Sequence, residues 1–449
     1  MKKVVLASSV IVLAGVLGTP GLVGSLAKDR FDETFAKLST PDIRIEWESY
    51  EKSWFSSKGV VNTHINLPLD PTKPPLKLDL KYQVTMNHGP VILGDGLQFG
   101  WASWNSDMTN AGELMADWPV EEMPAITQTG LINLLGDIHF QDTVSAFVLK
   151  DDEDRANIGA FTGTGMLSGE NFAYEGGVEE IKVMAKKAGQ DLILKKLAVT
   201  MNGIMPSDYT YGDMMPGHFG FTVDGLYAGD EYLFDKLGVF ADVTLNEQKD
   251  AGDITVTYSA DRVQTPELML THAKVEASLR NYSVEFNRAY TLALQEYMRD
   301  GGDLAKAEEQ MLMVLTESFD KLMAGKPELD IANITFTLPE GTFASSANLK
   351  LDNYDITLQQ LMDQHFLRSN MNFSASASAD ELLAKKLALI AVESQAQGQP
   401  VDEMQVEMML GMMTATGMVT LKDNKYVSEI SMKNGSAVVN GQPVPLPGA

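Results

Sequence analysis

Strict alternation of apolar and polar residues in the stretch LKLDLKYQVTM, residues 76–86, most narrowly limits what this chain can fold into. Six apolar residues share one face of an extended strand: Leu76, Leu78, Leu80, Tyr82, Val84 and Met86. Five polar residues share the other face: Lys77, Asp79, Lys81, Gln83 and Thr85. Because successive side chains point to opposite faces of a strand, the pattern predicts a half-buried strand in an antiparallel sheet with one solvent-exposed face.

Comparable strand patterns recur along the body of the chain. They are VVNTHINLPL, LILKKLAVTM, GFTVDGLYA, GVFADVTL, DITVTYSA and NITFTL, and Gly, Asn and Asp fall between them, as turns require. Residues 414–446 read as a C-terminal β-meander. Asn434-Gly435 forms its tightest turn, because both residues tolerate a positive φ.

Helical patterns appear in the second half of the sequence. A helical hairpin is predicted over residues 284–325, with the Gly301-Gly302 pair between its two helices. Further helices are predicted over residues 355–369, 379–395 and 401–413. In the last of these the many methionines favour an adaptable core-facing stripe over a ligand groove.

Two tryptophans, a tyrosine and a phenylalanine crowd the stretch WESYEKSWFSSKGVV, residues 47–61. The alternating segments on either side predict a hairpin, so Trp54 and Phe55 lie where the loop meets the second strand. We expect both side chains to fold back over the end of the sheet. The alternative is an exposed platform that binds a ligand.

Motifs that carry known chemistry are missing from the sequence. The six histidines form no H-E-x-x-H pair, no serine lies in a G-x-S-x-G elbow, and GTGMLSG lacks the Walker lysine. The acidic stretch DDEDRANIG departs from a calcium-binding loop and reads as a solvent-exposed loop. His88, in the turn NHGP, is a candidate ligand or structural residue. The sequence therefore predicts no catalytic residue, no metal site and no cofactor.

Charge and cysteine content exclude several classes of protein. The formal net charge is −26 and the pI about 4.6, so the chain has no basic excess with which to bind nucleic acid or anionic lipid. It also has no cysteine, which excludes disulfides, thiolate catalysis and a cysteine-linked lipid.

The N-terminus carries a targeting signal. Lys2 and Lys3 precede an uncharged, largely apolar stretch from Val4 to Ala27, which is long enough to span a bilayer. Residues 1–27 are read as an uncleaved membrane anchor or, alternatively, as a signal peptide cleaved after Ala27. The remainder divides into a strand-rich region, residues 28–262, and an α+β region, residues 263–449.

Four stretches of the chain resemble the YdgA-like family, a bacterial family of unknown function found in Gram-negative envelopes. They are YEKSWFSS with its following strand, NHGP, the helical hairpin ending in KPELDI, and LKDNKYVSEISMKNGSAVVNGQPV. The resemblance implies a membrane anchor and a body in the periplasm. It also implies a distant similarity to AsmA-like envelope proteins, whose long curved sheets offer an apolar trough to lipid.

Together these features predict an α+β, strand-dominated fold, with long antiparallel strands in curved sheets and helices in the C-terminal half. We expect a non-enzymatic periplasmic protein held at the inner membrane, acting either as an envelope-maintenance scaffold or as a scaffold that binds lipid or protein. Its expected partners are an apolar ligand or lipid, or another envelope protein. An enzyme assembled from dispersed acidic and histidine residues is one alternative. A secreted protein that associates with itself is another.

Overall fold

The structure is a computed structural model that describes most of the chain. The described residues are 35, 39, 43–67, 76–94, 96–110, 122–150, 154–185, 191–206, 209, 212–229, 231–265, 268–299, 312–395 and 403–444.

Two compact units make up the chain. The first contains residues 1–231 and 287–315, and the second contains residues 232–286 and 316–449. Residues 262 and 263, where the sequence places a boundary, both lie within one strand, Ala251–Gln264. Strand patterns continue without a change in composition across this part of the sequence, so nothing local marks the division.

The first unit is a meander of antiparallel strands. Its strands are β1 Ile43–Lys52, β2 Ser56–Leu67, β3 Leu76–His88, β4 Val91–Gly94, β5 Gly96–Phe99, β6 Ala102–Asn110, β7 Ile126–Ile132, β8 Ile138–Val144, β9 Phe147–Lys150, β10 Asp154–Ile158, β11 Phe161–Ser168, β12 Asn171–Ala185, β13 Asp191–Ile204 and β14 Gly217–Ala228. Pairing runs β1–β2–β3–β6–β7–β8–β11–β12–β13–β14. β10 pairs with β9 and β12, and β4 and β5 form a separate ribbon.

Alternation along β3 places its apolar face in the core, as the sequence predicts. Leu80, Tyr82, Val84 and Met86 are buried, whereas Gln83 on the other face is exposed. The side chains of Leu76 and Leu78 lie outside the described residues. Buried residues from β1 through β12 belong to one cluster. Strands that far apart in the meander reach the same cluster only because the sheet curves around it.

The second unit is also built from consecutive antiparallel strands. They are β15 Glu231–Leu245, β16 Ala251–Gln264, β17 Met269–Ser283, β18 Glu328–Leu338, β19 Gly341–Leu351, β20 Met371–Asp380, β21 Thr420–Lys422, β22 Lys425–Lys433, β23 Ser436–Val439 and β24 Gln442–Val444. Pairing runs β15–β16–β17–β18–β19–β20–β22–β23–β24, and β21 also pairs with β22. β21 to β24 form a meander in which Asn434 and Gly435 adopt positive φ.

Six helices are bounded within the described residues. They are α1 Val284–Arg299, α2 Phe319–Ala324, α3 Leu358–Met362, α4 Gln364–Asn370, α5 Glu381–Gln395 and α6 Glu403–Ala415. The fold class predicted from the sequence, α+β and strand-dominated with a large curved antiparallel sheet, is confirmed.

Two helix predictions need correction or completion. Residues 355–369 do not form one helix, because Asp363 adopts an extended conformation and its side chain accepts hydrogen bonds from the backbone of His365 and Phe366. An aspartate in that role starts a new helix. In the predicted hairpin, α1 covers the first arm and residues 312–317 with α2 cover part of the second. Residues 300–311 lie outside the described residues.

The methionine-rich helix α6 presents three of its methionines to solvent. Val406 and Leu410 are buried, while Met404, Met408 and Met412 are exposed. The expectation of a core-facing methionine stripe is therefore wrong for these three residues. The helix is apolar almost all round, so its periodicity does not determine which side packs.

No helix in the described part of the chain is long and apolar enough to cross a membrane. The predicted anchor, residues 1–27, lies outside the described residues.

A matched pair of glutamine substitutions tests the orientation of β3. Leu80→Gln should lower the free energy of unfolding by roughly 3–5 kcal/mol, because it removes a buried side chain and buries an unpaired amide. Lys81→Gln removes only the exposed ion pair with Glu48, 2.7 Å between Nζ and Oε2, and should cost less than about 1 kcal/mol. Urea unfolding of both variants measures the difference. Equal losses would contradict the assigned facing of the strand.

Candidate functional site

Trp54 and Phe55 project into solvent from the turn between β1 and β2. Their exposed fractions are 88% and 75%. The last backbone pair before the turn joins Lys52 to Ser57, and the Ser53 N–H donates to the Ser56 carbonyl at 2.8 Å. The chain thus reverses tightly, and the two aromatic residues occupy its outer corner. The expectation that they fold back over the sheet end is wrong, because they lie beyond the last rung of the ladder.

Other large apolar side chains are exposed on the neighbouring turns of the first unit. We call the whole set the apolar loop end, and its members are Trp54, Phe55, Val91, Leu97, Phe99, Trp101, Leu134 and Leu135. They come from the β1–β2 turn, from the β4–β5 ribbon with its flanks, and from the β7–β8 turn.

Hydrogen bonds join these turns side by side. The His88 N–H donates to the Phe55 carbonyl at 2.8 Å, and the Gly89 N–H donates to the Trp101 carbonyl at 2.7 Å. Trp101 then reaches the third turn, since its indole Nε1 donates to the Leu134 carbonyl at 3.1 Å. These bonds hold the three turns side by side at one end of the sheet.

Close approach of backbones at this end requires glycine at position 89. A Cβ atom there would lie 1.6 Å from the carbonyl oxygen of Gly100. Any larger residue would separate the ribbon from the end of β3. The sequence marks this requirement only through the glycine of NHGP.

A polar latch, formed by Tyr50, Ser57 and His88, holds the β1–β2 turn to β3. The Tyr50 hydroxyl donates to Ser57 Oγ at 3.0 Å, and Ser57 Oγ lies 2.8 Å from His88 Nε2. Burial lowers the pKa of His88, and Lys52 adds to that effect, while a hydrogen bond with the Trp54 backbone opposes it. The lowered pKa favours the neutral ring, whose Nε2 can accept a hydrogen bond from the Ser57 hydroxyl.

Ser57 and His88 have the spacing of a nucleophile and its base, but their surroundings favour a structural role. Ser57 is 1% exposed, so a substrate cannot reach its hydroxyl. Both His88 interactions tie the residue to the turn that carries Trp54. We therefore assign His88 to positioning the apolar loop end. Sequence reasoning identified His88 but not its partner Ser57, because a lone serine in a strand carries no signal.

A row of buried polar side chains crosses the core of the first unit. Trp104 Nε1 donates to Gln128 Oε1 at 3.2 Å, and Gln128 Nε2 donates to Asp142 Oδ1 at 2.7 Å. The backbone register explains the contact, because Gln128 on β7 lies directly opposite Asp142 on β8. Asp142 is 1% exposed. Sequence reasoning missed this carboxylate, since one aspartate among 61 acidic residues is not distinctive.

Tyr174 reaches toward the same carboxylate over a glycine. Gly163 on β11 lies opposite Asp142, and a Cβ atom at Gly163 would lie 2.1 Å from the Tyr174 hydroxyl. The Tyr174 hydroxyl and Asp142 Oδ2 do not form a hydrogen bond, so the hydroxyl acts on the carboxylate through electrostatics. Burial raises the pKa of Asp142 to about 6, against the opposing effect of Gln128 and Tyr174.

An open groove of about 640 Å³ lies on the first unit, and its lining is mostly polar. Its lining includes Asn87, Gln98, His139 and Gln141. Among the residues that the structure describes, no carboxylate, lysine or arginine lines it. Among the described residues, no three His, Asp or Glu side chains are placed to hold a metal ion.

Residues 1–447 match the family model described as a bacterial protein of unknown function, DUF945. The chain belongs to this family. No curated protein and no solved structure matches the chain. For this DUF945 protein, functional inference therefore rests on the chemistry of its own side chains, and the apolar loop end is the most distinctive feature.

Two tryptophan substitutions test the contrast between the loop end and the core. Trp54→Ala should change the free energy of unfolding by less than about 0.5 kcal/mol, since the ring is already in solvent. Trp104→Ala should cost about 3–5 kcal/mol, the usual range for a buried large aromatic residue. Chemical denaturation of both variants measures this. A large loss in Trp54→Ala would mean that the ring is covered.

Asp142 should make the stability of the protein fall with rising pH. Its folded pKa of about 6 lies above the unfolded value of 3.8. The folded state therefore binds more protons between these values, and stability falls as pH rises from about 4 to about 6. The penalty amounts to at most about 3 kcal/mol and is fully present above that range.

Comparison of Asp142→Asn with the parent protein isolates this effect. The amide can still accept from Gln128 but does not titrate, so the variant should gain stability relative to the parent between pH 4.5 and pH 7.5. Thermal unfolding across that range measures the difference. A difference between the two proteins that does not change with pH would contradict a raised pKa at Asp142.

Proposed function

We propose that this DUF945 protein is a non-enzymatic binding protein of the bacterial envelope, and that the apolar loop end is its binding surface. The observation that carries the proposal is the exposure of Trp54, Phe55 and Leu135, at 88%, 75% and 89%. Large apolar side chains grouped on adjoining turns indicate a surface that another molecule covers.

The acidic character of the chain strengthens this argument. With 61 acidic residues and a net charge of −26, most of the surface favours water. Among the described residues of the three turns, 53–56, 89–94, 96–101 and 133–137, only Asp137 is charged, and the sequence adds Asp95 at the tip of the ribbon. Large apolar side chains therefore outnumber charged ones at this end of the sheet. Exposed aromatic residues in such a setting are typical of binding sites, where Trp contributes strongly to binding energy.

The envelope location rests on the sequence. Lys2, Lys3 and the apolar stretch from Val4 to Ala27 support an uncleaved anchor in the inner membrane, with the body in the periplasm. The resemblance to the YdgA-like family supports the same location, and the distant analogy to AsmA-like proteins supports a role in contact with lipid.

The surroundings of the titratable candidates favour binding over catalysis. His88 is bonded within the latch, and Asp142 is sealed in the core. The groove that contains His139 is open, and His139 is the one titratable side chain among its described lining residues. An enzyme with a dispersed site and a secreted self-associating protein remain the alternative predictions.

Site-specific photo-crosslinking in cells tests the binding surface. A benzophenone amino acid replaces Leu135 in the loop end, and as a control replaces the exposed Gln141 on β8. We expect an adduct to a protein or to lipid from position 135, and it should disappear when Trp54→Ser and Phe55→Ser are combined. Equal labelling from both positions, or no adduct to either protein or lipid from position 135, would contradict the proposal.

Fractionation of the same cells tests the location. The full-length chain should sediment with the inner membrane and retain its first residues. A soluble protein whose N-terminus is Lys28 would contradict the anchored form while leaving the binding surface in place.

A further inference from the structure

We infer that the apolar loop end docks on a lipid bilayer, and specifically on the interface of the membrane that holds the N-terminal anchor. The binding is hydrophobic insertion and does not depend on anionic lipid. This inference rests on the proposed function, since it names the occupant of that binding surface.

The shape of the surface favours a bilayer over a protein groove or a small ligand. Trp54 and Leu135 are almost fully exposed, at 88% and 89%, and so protrude from their turns. A concave pocket would hide most of each side chain. Each of the three adjoining turns carries protruding apolar side chains. A fluid lipid interface can accommodate all of them, whereas a protein partner would need a complementary pocket for each.

The chemistry of the side chains fits the same occupant. Trp prefers the region between lipid headgroups and acyl chains, where its apolar ring and its polar N–H are both satisfied. Phe and Leu bury their apolar side chains at the boundary of the acyl chains. Trp101 keeps its indole N–H bonded to the Leu134 carbonyl, so its exposed ring carries no unpaired donor into lipid. Among the described residues of the three turns, Asp137 is the one charged side chain, and its carboxylate accepts hydrogen bonds from Asn133 and Ser168. A carboxylate is costly in the hydrocarbon core, and the sequence places a second one, Asp95, between the two strands of the ribbon, so the insertion stops at the level of the headgroups.

The charge of the protein favours hydrophobic insertion over electrostatic binding to anionic lipid. A body with a net charge of −26 is repelled by anionic lipid. Lys52 and Lys58 flank the β1–β2 turn, and Glu51 lies opposite Lys58, so the charges beside the turn are of both signs. Apolar burial is the attraction that remains.

The length of the chain allows the anchor and the loop end to reach one bilayer. Phe35 is buried in the core with its ring 5.9 Å from that of Trp47. Trp47 lies seven residues before Trp54, or about 23 Å along an extended strand. Residues 28–34, between the predicted anchor and Phe35, can span up to about 25 Å. This reach matches the distance from Trp47 to the loop end, so the anchor and the loop end can contact the same bilayer. The anchor would also hold the loop end close to that membrane, which raises its effective concentration there.

Environment-sensitive labelling of the full chain in proteoliposomes tests the inference. The chain has no cysteine, so Leu135→Cys provides a single site for an NBD dye, and Gln141→Cys provides the matched control. In phosphatidylcholine vesicles the dye at position 135 should shift to the blue and be quenched by lipids spin-labelled near the headgroup. The dye at position 141 should behave as in water.

Three further measurements sharpen the result. Combining Trp54→Ser with Phe55→Ser should return the dye at position 135 to its aqueous emission, while circular dichroism stays unchanged. Adding phosphatidylglycerol should weaken the shift, and salt should restore it, because screening removes the repulsion. The shift should not change when the ratio of protein to lipid is lowered, because docking on the bilayer needs no second copy of the chain.

Each contrary outcome has a definite meaning. A shift that falls on dilution in lipid would identify a second copy of the chain as the occupant and overturn the bilayer inference. A shift that requires anionic lipid would overturn the hydrophobic mode. The dye at position 135 could keep its aqueous emission in vesicles while position 135 forms a specific protein adduct in cells. That result would overturn the bilayer inference but leave the proposed binding surface standing. No shift and no adduct would remove both.

Discussion

Hydrogen bonding between strands that follow one another in the chain is the constraint on which each unit depends. Nearly every described strand pairs antiparallel with the next long strand, as in β1–β2–β3 and β16–β17–β18. Such pairing satisfies backbone groups with short connections, and it places each hairpin turn at an end of the sheet. The positions of Trp54, Trp101 and Leu135 at adjoining turns follow from this connectivity.

The curvature of the sheet in the first unit follows from where apolar area can be buried. A chain without cysteine has no disulfides, so packing and backbone pairing stabilise it. Curving the sheet lets Ile45 of β1 and Val178 of β12 share one cluster. The polar row of Trp104, Gln128 and Asp142 lies within the same unit, and its hydrogen bonds fix neighbouring strands relative to one another. Burial of the Asp142 carboxylate lowers the stability of the protein at neutral pH, where the group is ionised.

The polar latch supports the β1–β2 turn, and the apolar loop end above it is exposed to solvent. Tyr50, Ser57 and His88 form hydrogen bonds beneath the turn, while Trp54 and Phe55 remain uncovered above it. A turn held in this way loses little conformational freedom when its side chains meet a partner, which favours binding. Exposed aromatic residues on an otherwise acidic protein also carry a risk of aggregation, and the high net charge counteracts it.

Local patterns in the sequence determined the elements and their facing. The alternation around Leu80, the Asn434-Gly435 turn and the apolar periodicity of α1 each specify a structure over a few residues, because they act through backbone geometry and side-chain direction. Only the tertiary structure decided what covers each apolar side chain. Trp54 and Met408 are exposed although both were expected to pack, since burial depends on segments that are distant in the chain. The contacts of Asp142 with Gln128 and of Ser57 with His88 arise from strand register, which no local pattern encodes.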